Sequence, residues 1–309
     1  MKRSTLITLA ILVLLAVCYL IMYQSEKQSL SEKEVGNFLA VDSGMVNKIS
    51  IRRLGTVVEF QKVGEDWNVS DRAKSYLTEK GTVQQLADLA HTMSVKEIIS
   101  SNPDKQMLFQ VDTITGNRVT FYRDANELAS VIIGKAGADN QSTYVRKPES
   151  NDVYAAKGNL ARFLNRPAAG YRDKTLLAID TTQIATISFK SKDIDYRIGR
   201  QDSLWRILPA KGEPLNPDPQ KMSSMLRQLA LIRWNNSVPD GDTARPNFMQ
   251  PTVAVDISML DGSTKSLRFV EMGSSENKGY YVQSPSGDET FVVYDYVVNN
   301  LVKKPEELK

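Results

Sequence analysis

Two stretches, "FLAVDSGMVNKISIRR" at residues 38–53 and "LLAIDTTQIATISFKS" at residues 176–191, share one pattern, the second beginning 138 residues after the first. Both carry an aspartate at the same place, followed by apolar residues that alternate as in a half-buried strand. The same shift superimposes Trp67 of "GEDWNV" on Trp205 of "DSLWRI". A repeat of this length without gaps predicts two copies of one folding module.

Each copy continues with the same order of elements. "TVQQLADLAHTM" (82–93) and "KMSSMLRQLALI" (221–232), aligned with one extra residue of shift, have the apolar spacing of an amphipathic helix. Paired strands separated by turn residues follow, and each copy ends in a short apolar helix. These patterns predict an α+β fold of two tandem, mainly antiparallel strand and helix modules, over residues 38–172 and 173–309.

The N-terminus reads as a membrane anchor. Lys2 and Arg3 precede an uncharged, mostly apolar run over residues 6–23, which at the helical rise would span about 27 Å, close to a bilayer core. The positive end should stay inside. We therefore expect a cytoplasmic stub and transmembrane anchor over residues 1–23, a juxtamembrane spacer over 24–37, and an extracytoplasmic, periplasmic location for the rest. A cleaved segment remains an alternative, although no convincing cleavage site follows the run.

Composition argues against several function classes. The 39 basic and 36 acidic residues give a net charge of +3, which provides no broad field for nucleic acid. A single cysteine and a single histidine rule out a disulfide within the chain and leave little for a zinc site. A P-loop, a dinucleotide fingerprint and a nucleophile elbow are absent from the sequence. The sequence therefore predicts a protein that is not an enzyme and has no cofactor.

The residues that recur in both copies are interpreted as structural. Trp67 and Trp205 are expected to be largely buried, each against its own module's helix, with the indole N–H bonded to a backbone carbonyl. A stacking site for a sugar or lipid is the alternative. Asp42 and Asp180 each precede a hydroxyl residue and are expected to cap a turn, their carboxylates accepting backbone N–H bonds.

Positions where the copies differ are better candidates for function. Trp234 has no tryptophan counterpart in the first copy, so it either completes the packing of its helix or belongs to a partner surface. Around Tyr171, the junction "RFLNRPAAGYRDK" carries three arginines: it is either a solvated linker or a contact for an acidic partner or headgroup. The candidate partner or ligand surface is Arg162, Arg166, Tyr171, Arg172 and Trp234.

The order of these motifs resembles a known family. An N-terminal anchor, "FLAVD…VNKISI", a tryptophan strand, "IIGK…STYVRKPESNDVYAA", the junction "F…YRDKTLL" and a second tryptophan strand are similar to a bacterial family catalogued as a domain of unknown function. The likeness covers most of residues 38–309. It implies membrane-anchored exported proteins, often encoded beside gliding-motility-type ABC transporter subunits, and it carries no catalytic residues.

Two functions follow as hypotheses. The first is a membrane-anchored, extracytoplasmic accessory or interaction subunit of an ABC-type transport complex, whose partners would be the permease and ATPase subunits. The second is an extracytoplasmic protein that binds a lipid, glycan or peptide in a cleft between the modules, with Trp234 or Tyr171 facing it. Burial of both repeated tryptophans favours the first hypothesis, and exposure of either in a cleft favours the second.

Overall fold

The structure is a computed structural model that describes residues 37–71, 74–201, 204–238, 245–273, 279–284, 287 and 289–309. The predicted anchor over residues 1–23, and the spacer up to residue 36, lie outside the described residues. Within the described part of the chain, no helix has the length and apolar character needed to cross a membrane. The chain divides into two compact units, one ending at Asp173 and the other beginning at Lys174.

The first unit contains a nine-stranded antiparallel sheet. Its strands are β1 (Lys48–Arg53), β2 (Thr56–Val63), β3 (Asp66–Asp71), β4 (Lys74–Leu77), β5 (Val95–Ser100), β6 (Asn117–Arg123), β7 (Asn126–Ala136), β8 (Ser142–Arg146) and β9 (Val153–Lys157). They lie in the order β4-β3-β2-β1-β6-β7-β8-β9-β5. The unit also has helices α1 (Thr82–Thr92) and α2 (Gln106–Phe109), and 3-10 turns at Ser43–Met45, Pro103–Lys105, Leu160–Phe163 and Ala168–Tyr171.

Alternation along the strands builds the core of this unit. Every second residue of the central strands is apolar, so one face of the sheet is apolar. That face packs against α1. The buried residues of these strands include Ile49, Ile51, Phe60, Val119 and Phe121. Helix α1 contributes Val83, Leu86, Ala87 and Ala90, the stripe that its 3.6-residue period predicts.

The first unit also has a second, smaller cluster of buried apolar residues. Val111, Ile132 and Val153 are buried together, and the ring of Phe109 lies 4.7 Å from that of Tyr144. The segment between β5 and β6 approaches the sheet closely, since a Cβ at position 134 would collide with the carbonyl of Phe109. Glycine is therefore required in β7 at this point.

Arg146, the last residue of β8, fastens this segment. Its side chain is 3% exposed, and its Nε donates to the carbonyl oxygen of Val111 at 3.0 Å. Its Nη1 donates to the carbonyls of the following turn, at 3.2, 3.1 and 2.8 Å for Lys147, Pro148 and Ser150. One guanidinium thus joins the α2 segment to the β8–β9 turn, using the planar fork of donors that arginine provides.

The second unit contains an eight-stranded antiparallel sheet and a separate two-stranded one. The strands are β10 (Thr175–Ala178), β11 (Ile184–Ser191), β12 (Asp195–Gln201), β13 (Leu204–Pro209), β14 (Leu231–Arg233), β15 (Asn236–Ser237), β16 (Val253–Met259), β17 (Thr264–Glu271), β18 (Gly279–Gln283) and β19 (Thr290–Tyr294). The large sheet has the order β13-β12-β11-β16-β17-β18-β19-β15, and β10 pairs with β14. The predicted α+β class with mainly antiparallel pairing is confirmed.

Two helices, α3 (Pro219–Ala230) and α4 (Asp295–Leu301), and 3-10 turns at Thr181–Gln183 and Pro305–Leu308 complete the second unit. The carboxylate of Asp218 caps α3 by accepting bonds of 2.9 Å from the backbone N–H groups of Gln220 and Lys221. Proline at the first helical position has no N–H to leave unpaired there. The helix buries Met222, Met225 and Leu229 in the core of its unit.

Candidate functional site

Asp42 and Asp180 cap short turns. The Asp42 carboxylate accepts the backbone N–H of Gly44 at 2.9 Å. The Asp180 carboxylate accepts both the backbone N–H and the hydroxyl of Thr182, at 2.9 and 2.7 Å, and the hydroxyl bond in particular lowers the pKa of Asp180. Both carboxylates are engaged by their own turns, which is the role that the sequence pattern indicates.

Trp67 is a core residue of the first unit. Its side chain is 5% exposed, and its indole N–H donates to the side-chain Oε1 of Gln84 on α1 at 3.0 Å. The acceptor is a helix side chain and not the backbone carbonyl we expected, because the amide of Gln84 reaches the indole. The carbonyl of Trp67 accepts two further bonds, from the N–H and the hydroxyl of Thr78, at 2.9 and 2.8 Å.

Trp205 packs against the core of its own unit, as expected of a largely buried indole, but it is less buried than Trp67. Its side chain is only partly buried and borders a groove of about 430 Å³. In the alignment of the two predicted modules, Ser223 stands at the position of Gln84. Among the described residues the indole N–H of Trp205 has no hydrogen-bond acceptor, and the hydroxyl of Ser223 accepts a bond of 2.8 Å from Arg227. We call this hollow the Trp205 groove; it is lined by Leu204, Trp205, Arg206, Asn216, Pro217, Pro219, Met222, Ser223 and Leu226.

Within the described residues, the backbone carbonyl of Trp205 has no donor equivalent to Thr78, which bonds to the carbonyl of Trp67. Ile207 exchanges two backbone bonds of 2.9 Å with Leu215 on the outer side of β13. Antiparallel alternation turns the N–H and C=O of Trp205 to the same outer side. The residue opposite is Pro217, which has no N–H to donate, whereas Thr78 occupies the equivalent place in the first unit.

Three arginines lie in or next to the Trp205 groove. The guanidinium of Arg200 lies 4.8 Å from the centroid of the Trp205 ring, a cation–π contact. Arg206 lines the groove itself, and Arg227 lies on α3 one turn beyond Ser223. Aromatic and apolar walls with a positive rim are suited to an apolar ligand that carries negative charge.

The expected surface around Tyr171 is largely interior. Tyr171 is 1% exposed, donates its hydroxyl to the carbonyl of Phe163 at 2.5 Å, and meets the ring of Phe60 edge-on at 4.9 Å. Arg172 is 7% exposed and lies 3.5 Å above the ring of Tyr76. These two residues hold the end of the first unit against its sheet, so they do not offer the exposed contact that we expected.

The other two arginines of that surface lie over aromatic rings. The guanidinium of Arg162 is 4.4 Å from the ring of Phe163, and that of Arg166 is 5.9 Å from the ring of Tyr171. Arg162 and Arg166 are both exposed. Their charges remain accessible, while their stems cover apolar surface.

The environment of Tyr171 leads to a testable prediction. Burial raises the pKa of its hydroxyl from 10.0 to about 12, with Arg166 acting in the opposite direction. Because the folded-state pKa is raised, this hydroxyl contributes stability that is complete below pH 10 and is lost as the pH rises toward about 12. Tyr171→Phe should remove one late step from the ultraviolet titration of the tyrosines and cost about 1 kcal/mol at neutral pH. A titration unchanged by the substitution would contradict the assignment.

Trp234 is a wall of a second cavity. It is 3% exposed and stacks on Phe291 at 4.8 Å with an interplanar angle of 7°, and the ammonium of Lys174 lies 5.1 Å from its ring centroid. The neighbouring cavity measures about 490 Å³ and is bordered by the exposed side chains of Leu231 and Tyr296. Trp234 therefore belongs to the core of the second unit and also lines this cavity.

The first unit also has a cavity lined by arginines, which the sequence pattern did not predict. It measures about 590 Å³ and lies where the β1–β2 hairpin meets the start of β6. Arg52 and Arg118 pair directly across β1 and β6, and Arg118 donates to the hydroxyl of Ser130 at 3.0 Å. Exposed Leu54 and Ile114 complete the wall. The arginines are 66 residues apart in the chain, which is why the sequence alone does not bring them together.

Within the described residues, no three His, Cys, Asp or Glu side chains form a metal-binding group. The comparisons with curated proteins and with solved structures found no match. A family model matches residues 67–251, which is more than half of the chain and includes both tryptophan strands. The chain belongs to the family described as a domain of unknown function, DUF4340.

Proposed function

We propose that this protein is a membrane-anchored, extracytoplasmic interaction subunit of an ABC-type transport complex, of the gliding-motility type. The apolar run over residues 6–23 would hold it in the inner membrane with the N-terminus inside. Its partners would be the permease and ATPase subunits. Any nucleotide hydrolysis would come from the ATPase, since this sequence contains no P-loop.

In this proposal the two units are tandem copies of one module. Removing β4 from the first sheet leaves an order that matches the second strand for strand, from β3 and β13 to β5 and β15. Each copy has a turn capped by aspartate before its first central strand, and a helix after its tryptophan strand. Duplication of a whole module supports a role in assembly, because it provides two frameworks whose surfaces can diverge.

The observation that carries the proposal is an asymmetry between these frameworks. In the first unit, Gln84 accepts a hydrogen bond from the Trp67 indole, and Thr78 donates one to the Trp67 carbonyl. Around Trp205 the second unit leaves an apolar groove with a cationic rim. Exposed apolar surface with a polar border is typical of a site where another molecule binds.

Affinity purification tests the proposal. The tagged full-length chain, expressed in its native host and extracted from membranes in a mild detergent, should enrich one permease and one ATPase together. A matched control that keeps residues 1–37 and lacks the two units should lose both. Recovery of the full-length chain with neither subunit would contradict the proposed function.

A second candidate function is supported by the same partly exposed tryptophan. In this alternative the chain is an extracytoplasmic protein that binds a lipid, glycan or peptide. The observation that favours it is that the partly buried Trp205 lines a groove of about 430 Å³, a volume in the range of small-ligand sites. The cleft between the modules that we first expected to hold such a ligand stays a prediction.

A further inference from the structure

We propose that the Trp205 groove binds a short peptide segment of a protein partner, with one large apolar side chain flanked by acidic residues. This inference rests on the proposed function, because it names the surface through which the interaction subunit would bind.

The walls of the groove fit one large apolar side chain. The Trp205 ring, two prolines and two apolar side chains of α3 form the lining, and the neighbouring Leu204 is 60% exposed. Burial of apolar surface of this kind contributes roughly 25 cal/mol per Å². The prolines and the ring are rigid, so little side-chain entropy is lost when a ligand binds.

Hydrogen bonding favours a peptide over an acyl chain. The indole N–H of Trp205 has no acceptor among the described residues, and Pro217 cannot donate to the Trp205 carbonyl. A peptide group offers one acceptor and one donor, which is the complement of this pair. An acyl chain in the same place would cover both polar groups without pairing them, at a cost in free energy for each.

Charge selects the residues beside the apolar side chain. Arg206 lines the groove, while Arg200 and Arg227 contact two of its lining residues, Trp205 and Ser223. Among the described residues no carboxylate lies within ion-pair distance of these three arginines. The carboxylate of the nearby Asp218 is already engaged by the start of α3. Acidic residues on the ligand would therefore meet a rim of opposite charge, which increases both selectivity and association rate.

The equivalent region around Trp67 in the first unit encloses its indole, and it suggests a variant that tests the proposal. Gln84 lies beside Trp67 and accepts its indole N–H. Ser223→Gln should therefore fill the groove and satisfy the Trp205 indole with an element that the module already tolerates. Ser224→Gln, on the same helix and outside the groove, makes the same chemical change and serves as the matched control.

The experiment uses the full-length chain with 5-fluorotryptophan, held in a phosphatidylcholine nanodisc and observed by fluorine NMR. Each of the three resonances is assigned by replacing one tryptophan with phenylalanine. The probe is a pool of acetylated pentapeptides, Glu-Xaa-Phe-Xaa-Asp, and the matched pool carries lysine at both ends. The acidic pool should shift the Trp205 resonance and leave that of Trp67 in place. The basic pool, and the acidic pool with Ser223→Gln, should bind at least about tenfold more weakly, a difference of about 1.4 kcal/mol.

Several results would overturn the proposal. One is that the acidic pool does not shift the Trp205 resonance, and another is that the shift persists in Ser223→Gln. A third is a shift with oleate but not with peptides, which would indicate a lipid site. The two proposals can also fail separately. If Ser223→Gln still co-purifies with the permease and ATPase, the groove is not the contact and the interaction role stands. If peptides bind but neither subunit co-purifies with the wild-type chain, the site stands and the proposed function fails.

Discussion

Trp67→Ala is expected to lower the free energy of unfolding of the first unit by about 3–5 kcal/mol, because the indole is enclosed and its removal leaves a cavity. The substitution also leaves the amide of Gln84 without its donor. Trp205→Ala should cost the second unit only about 1–2 kcal/mol, because a partly exposed ring gives up less buried area and leaves an open hollow. The same change in the same sequence frame should thus have two different costs.

Hydrogen exchange with mass spectrometry separates the two effects, because it reports on each unit of the full-length chain. Peptides from β2 and β3 should lose protection in Trp67→Ala, and peptides from β12 and β13 should lose much less in Trp205→Ala. Trp67→Phe, which keeps most of the apolar volume, should fall between Trp67→Ala and wild type. Equal losses at the two tryptophans would contradict the distinction that we draw between a closed core and an open groove.

Arg146 should be the most demanding polar position in the first unit. Arg146→Met removes all four bonds from the buried guanidinium to backbone carbonyls, and it is expected to destabilise the unit by about 3–5 kcal/mol. Arg146→Lys should cost nearly as much, because a single ammonium cannot reach both the carbonyl of Val111 and the turn after β8. The loss should appear first in residues 103–116, the segment that Arg146 holds.

Thermal unfolding and hydrogen exchange of the Arg146 variants provide the measurement. Arg118→Met is the matched control: this arginine lies on the same sheet, its side chain is 46% exposed, and its change should cost less than about 1 kcal/mol. If Arg146→Lys retained wild-type protection across residues 103–116, the bonds to backbone carbonyls would not be what holds that segment.

Periodicity made much of the fold predictable. The alternation in residues 48–51 and 184–189 lies in β1 and β11, and the helical stripe at residues 83–90 forms the buried face of α1. Asp42 and Asp180 cap turns because the tendency of an aspartate before a small or hydroxyl residue is local. Strand alternation, helical periodicity and turn capping depend on residues close in the chain. They can therefore be predicted without knowledge of tertiary contacts.

The candidate site was harder to predict, because it depends on residues distant in sequence. Ser223 and Pro217 border the partly buried Trp205. A comparison of these two positions with Gln84 and Thr78, their counterparts in the predicted alignment, is the signal that could have indicated the groove. Tyr171 lies in a stretch with the composition of a linker, yet a bond to Phe163 and a contact with Phe60 draw it inside. The composition of a segment indicates how polar it is on average. It does not indicate which of its side chains is buried by contacts with distant residues.

Pro217 has a further consequence for the behaviour of the chain in a crowded compartment. An uncovered strand at the border of a sheet is a template on which another chain can add, and such addition leads to aggregation. In the first unit β4 occupies that border beside β3. In the described part of the second unit, the outer edge of β13 meets a single isolated bridge, from Ile207 to Leu215, and Pro217 follows two residues later. Because proline cannot extend a ladder of backbone bonds, it should block fibril-like growth along β13 while leaving the adjoining face open.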